Sequence, residues 1–62
     1  MKKGDRAKIK KNTFLFQGFF VHTNSIVEIA EITEEGIHVV YNDKEGFPHV
    51  IPNLKESELE LV

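Results

Sequence analysis

Four of the five phenylalanines in this chain, Phe14, Phe16, Phe19 and Phe20, crowd into one short stretch together with Leu15 and Val21. Rings at this density either fill a core or form a contact surface, because burying one phenylalanine is worth roughly 1.5–3 kcal/mol in either place. Gly18 lies between the two pairs, where the chain can reverse direction. A second set of residues with chemical potential is basic. Arg6, Lys8 and Lys10 alternate with Ala7 and Ile9, which on a strand sets charges about 7 Å apart along one face, close to the phosphate repeat of extended nucleic acid. His22, His38 and His49 have the nitrogens for a metal site but not the short helical or hairpin spacing of one, and read as scattered surface residues. The two serines, Ser25 and Ser57, sit in no nucleophile elbow, and no glycine-rich phosphate loop is present. The sequence therefore carries no catalytic constellation and implies no cofactor.

These residues must be positioned by a very small domain. A chain of 62 residues buries only about 60% of the surface its unfolded form exposes, so residues 1–62 make one domain with a single thin core. Cysteine is absent, which removes disulfides, thiolate zinc sites and thiol catalysis, and favours a reducing compartment. No apolar run is longer than the three residues Phe19 to Val21, too short for a membrane-spanning helix. Met1-Lys2-Lys3 leads into Gly4-Asp5-Arg6 rather than an apolar stretch, unlike a signal peptide. The expected location is cytoplasmic.

Charge is distributed unevenly. Residues 1–11 hold six basic groups against Asp5, a net +5, while residues 12–62 hold Lys44 and Lys55 against nine carboxylates, a net −7. A basic start on an acidic body fits a nucleic-acid arm, a site for a charged partner, or two halves that neutralise each other on folding.

Period-two patterning points to strands. Residues 5–11 alternate as a half-buried strand, and residues 25–33 are rich in β-branched types. The spacing of Val27, Ile29 and Ile32 breaks alternation once, which one bulge repairs. Thr33-Glu34-Glu35-Gly36 and Asp43-Lys44-Glu45-Gly46 each close on glycine, as hairpin turns do. They frame a strand at Ile37 to Tyr41 and lead to another at Phe47 to Ile51, where Pro48 signals an edge. Near the C-terminus the pattern predicts one helical turn at residues 53–56 and a short strand at residues 58–61. The expected core is Ile9, Val27, Ile29, Ile37, Val39, Val50, Leu54 and Leu59.

The layout resembles a small SH3-like barrel of the kind seen in KOW-type and other bacterial accessory domains. Lys3-Gly4-Asp5-Arg6-Ala7-Lys8-Ile9 is similar to the opening strand of such barrels, and residues 12–24 fall where they carry a wide first loop. Val27-Glu28-Ile29 with Gly36-Ile37-His38-Val39 resembles their central hairpin, and Leu54 with Glu58-Leu59-Glu60-Leu61-Val62 their closing turn and last strand. The resemblance implies a mostly β, five-stranded, twisted barrel with at most one short helical turn. It also implies antiparallel pairing of the first and last strands, which sets Lys8 and Lys10 beside Glu58 and Glu60. The first loop here is phenylalanine-rich where the KOW pattern is compact and glycine-rich, so ribosomal and transcriptional roles do not carry over.

The function expected is a non-catalytic protein-binding module, a small accessory or phage-type regulatory protein whose partner is unidentified. Its expected contact surface is Phe14, Phe16, Phe19 and Phe20, with Phe16 and Phe19 at the tip the most exposed, and weak homodimerisation through them is expected. The alternative is a nucleic-acid-binding barrel using Arg6, Lys8 and Lys10, with a phenylalanine stacking on bases. No membrane partner is expected.

Overall fold

The computed structural model describes residues 1–62. Seven strands form, β1 (Arg6–Ile9), β2 (Phe14–Phe16), β3 (Phe19–Val21), β4 (Ile26–Thr33), β5 (Gly36–Asn42), β6 (Pro48–Leu54) and β7 (Leu59–Leu61). The protein is mostly β, and its one helical element is a 3-10 turn at Glu56–Glu58. Five strands make an antiparallel sheet in the order β6-β5-β4-β1-β7, with no ladder joining β6 to β7, and β2 and β3 pair only with each other.

The expected wide loop is therefore a hairpin. Phe14, Leu15 and Phe16 face Val21, Phe20 and Phe19 in register, which suits aromatic and β-branched residues. The chain reverses at Gln17 and Gly18, with φ of 48° and 88°. Two successive positive φ values match the twist of the flanking strands in a two-residue connection. Thr23 ties down the base of the hairpin by donating its hydroxyl to the Lys11 carbonyl at 2.8 Å.

Two bulges set the phase of the large sheet. On β4 the register shifts between Ile29 and Glu31, which returns Ile32 to the side of Ile37, as the broken alternation predicts. On β6 the shift falls between Ile51, opposite Val39, and Leu54, opposite Ile37. Asn53 takes φ 59° there, so residues 53–56 do not start a helix. The 3-10 turn forms later, where the Glu58 carboxylate accepts the Lys55 N–H at 2.8 Å. Gly36 faces the β6 bulge, and a Cβ on it would stand 2.7 Å from the Asn53 Cα.

The core consists of Ala7, Ile9, Val21, Val27, Ile29, Ile37, Val39, Ile51, Leu54 and Leu59. Seven of the eight expected core residues are in it. Val50 is not: it is 56% exposed, and its neighbour Ile51 is buried instead. β6 runs along the edge of the sheet, and its two prolines, Pro48 and Pro52, lack the N–H that an intruding strand would need.

Candidate protein-interaction surface

Pairing in the β2–β3 hairpin assigns a face to every ring. Phe14, Phe16, Phe19 and Val21 share one face; Val21 enters the core, and the three rings pack half-buried against it. Leu15 and Phe20 sit directly opposite each other on the other face, 63% and 59% exposed. The expectation that Phe16 and Phe19 are the exposed tip residues is thus corrected. A two-residue turn puts both flanking residues on the same face, and that face is the inner one. Of the four phenylalanines expected to make the contact surface, Phe20 alone is exposed, and Leu15 joins it.

Phe19 is the hub of an aromatic cluster. Its ring meets Phe16 edge-on at 5.9 Å, lies parallel to Tyr41 at 5.8 Å, and contacts the His49 imidazole at 4.4 Å. His49 Nε2 is 2.8 Å from Asp43 Oδ2. An ionised carboxylate only accepts hydrogen bonds, so Nε2 carries the proton. The other oxygen of Asp43 accepts the N–H groups of Glu45 and Phe47 at 2.9 and 3.0 Å, closing the β5–β6 turn. These bonds, above all the one from His49, hold the Asp43 carboxyl below its ordinary value of 3.8, against a smaller opposing effect of burial. His49 is therefore a structural member of the turn rather than a scattered surface histidine. Its pairing with Asp43, six residues earlier, follows from the hairpin register of Tyr41 opposite His49.

A depression of about 330 Å³ opens between the hairpin and this turn, lined by Phe19, Phe20, His22, Tyr41, Asp43, Lys44 and Glu45. Its walls are aromatic and its lip is charged. The sequence places Tyr41 on a strand and residues 43–46 in a hairpin turn but does not assign them to the site; the fold brings them beside the phenylalanines. No group of three His, Asp or Glu side chains converges as a metal site would require.

Arg6 and Lys8 lie on β1 and Lys10 just beyond its end, with acids on the neighbouring strands. Arg6 is in register with Glu28 on β4, and Lys8 with Glu60 on β7. The ion pairs that form are Lys10–Glu60 at 4.0 Å and Lys11–Glu58 at 3.7 Å. The first and last strands are thus neighbours, with Lys8 opposite Glu60 and the Lys10 N–H donating to the Glu58 carbonyl at 2.7 Å. This places the two lysines beside the two glutamates as expected, although Lys8 itself makes no ion pair. Lys11 also lies 4.6 Å from the centre of the Phe14 ring.

Fold and surface together define a small antiparallel β module with an exposed apolar hairpin. No helix is long and apolar enough to cross a membrane. No known family model matches the chain, and neither a characterised protein nor a solved structure shows significant similarity to it.

Proposed function

We propose that this chain is a non-catalytic protein-interaction module of the SH3-like barrel kind, which docks its partner on the outer face of the β2–β3 hairpin. The barrel reading is supported by β1, which pairs with both β4 and the last strand β7, as the resemblance requires. The binding reading rests on one observation: Leu15 and Phe20 lie side by side and mostly exposed, while the rings beside them turn inward. Adjacent large apolar side chains on a soluble surface mark an interaction site, and an aromatic anchor contributes strongly to such contacts.

The test compares partner capture by the unaltered chain, by Leu15→Ser/Phe20→Ser and by Ile26→Ser, which removes an exposed apolar residue of the large sheet. The captured protein is identified and its binding repeated with purified components. Loss confined to the hairpin variant, with its fold retained, supports the proposal; equal capture by all three overturns it. Binding to generic RNA that weakens steeply with salt would instead favour a nucleic-acid role for Arg6, Lys8 and Lys10. The alternation of Arg6 with Glu28 and of Lys8 and Lys10 with Glu60 argues against that role.

A further inference from the structure

The hydrogen-bonding phase of the hairpin gives Phe20 a second capacity. Across a two-residue turn the flanking residues, here Phe16 and Phe19, exchange the first backbone bonds, so Leu15 and Phe20 fall at a non-hydrogen-bonded position. The N–H and C=O of Phe20 therefore point away from β2 toward the outer edge of β3, which has no other strand beside it. The depression next to the aromatic cluster opens on this same edge, since β3 residues line it and β2 residues do not. The two edges of the large sheet are blunted: β6 carries Pro48 and Pro52, and β7 carries Glu60. The hairpin strands Phe14–Phe16 and Phe19–Val21 contain neither proline nor charge.

From this we infer that the groove between β3 and the 43–46 turn receives an extended, basic segment of the partner, added as a strand beside Phe20. This deepens the interaction-module reading and rests on it. Strand addition draws affinity from main-chain hydrogen bonds and selectivity from the pockets that take alternate side chains. The pocket here selects for positive charge. Asp43 and Glu45 outnumber Lys44 on its lip, and the chain beyond residue 11 carries a net −7, which draws in basic segments and repels acidic ones. A lysine or arginine head entering the depression meets the rings of Phe20 and Tyr41, and aromatic faces attract cations.

The probes are two blocked pentapeptides, Val-Lys-Val-Lys-Val and Val-Glu-Val-Glu-Val, and a copy of the first N-methylated at its central valine. Binding is followed by amide chemical shifts and by the fluorescence of Tyr41, the single tyrosine in a chain without tryptophan. The lysine peptide should shift Phe20, His22, Tyr41 and Glu45 saturably, at least about tenfold more tightly than the glutamate peptide, a gap of roughly 1.4 kcal/mol. N-methylation should abolish the effect, and Glu45→Lys, a change on an exposed turn, should reverse the peptide preference. Shifts that map elsewhere, that survive N-methylation, or that fail to appear overturn the inference. If they fail while partner capture still depends on Leu15 and Phe20, the strand-addition inference falls and the module reading stands. If capture does not depend on those two residues, the module reading itself falls.

Discussion

His49 and Asp43 join the two strands of the β5–β6 hairpin through a 2.8 Å bond from Nε2 to Oδ2, and the same imidazole lies 4.4 Å from the Phe19 ring. One carboxylate thus closes the turn and orients the group on which the aromatic cluster rests. Its pKa is lowered in the folded chain, first by the His49 hydrogen bond and then by that from the Phe47 N–H. A depressed carboxyl pKa contributes stability that is fully present above the unfolded value and is lost as pH falls through the folded one. Asp43→Asn should therefore melt below the unaltered chain at neutral pH, and the gap should shrink as the pH drops through and below the ordinary 3.8. Thermal midpoints across that range check this; a gap independent of pH would assign the effect to geometry rather than charge.

Val39 is fully buried and Val50, on the neighbouring strand, is 56% exposed. Val39→Ala should cost about 1–3 kcal/mol, scaled down from larger aliphatic truncations, and Val50→Ala should stay within about 0.5 kcal/mol. Urea midpoints of the two variants make the comparison.

That contrast also shows how far the sequence can be read. Strand positions in β1, β4 and β5 follow from single-residue alternation, and their core residues were legible because each strand offers one apolar face. In β6 the adjacent Val50 and Ile51 are both β-branched, so alternation does not choose between them. The choice is made across the strand, where Ile51 lies opposite Val39, and the bulge at residues 52–53 then lets Leu54 reach the core as well. The hairpin was missed for a similar reason. Gly18 marks the tip, but Gln17-Gly18 is a weaker hairpin signal than Asn-Gly, and without the β2–β3 pairing the inward and outward rings cannot be told apart.

Gly36 lies opposite the β6 bulge, with the Asn53 backbone where its Cβ would be. Gly36→Ala should push β6 away and lower stability by about 1–3 kcal/mol, the range for backbone strain of this kind. Asn53 already holds a left-handed conformation, φ 59°, so Asn53→Gly should change stability by no more than about 0.5 kcal/mol, while Asn53→Ala should lose about 1–2. Equal losses for Gly36→Ala and Asn53→Gly in chemical denaturation would mean that the close approach is not limiting.

Lys10 and Glu60 form an ion pair between the segment after β1 and β7, at 4.0 Å and with both side chains largely in solvent. Such a pair is worth at most about 1 kcal/mol. Lys10→Glu should lose a fraction of that, and Glu60→Lys in the same chain should restore it. Lys8→Glu should act through Glu60 as well, since the two are in register, but less strongly because no ion pair is broken. Strictly additive losses for Lys10→Glu and Glu60→Lys would show that the two charges do not interact.

The two faces of the β2–β3 hairpin should separate binding from stability. Phe19 contacts Phe16, Tyr41 and His49, and it is half-buried against the core. Truncating it removes apolar burial and leaves the imidazole without its ring neighbour, so Phe19→Ala should cost about 1.5–3 kcal/mol. In a domain this small, where total stability is itself modest, that loss brings the chain close to unfolding. Leu15 and Phe20, on the opposite face, have little burial to lose, so Leu15→Ser/Phe20→Ser should stay folded with a thermal midpoint near that of the unaltered chain. Circular dichroism melts of the two variants decide the matter. If the Leu15/Phe20 variant melts as low as Phe19→Ala, the outer face is structural, and the hairpin is not free to bind.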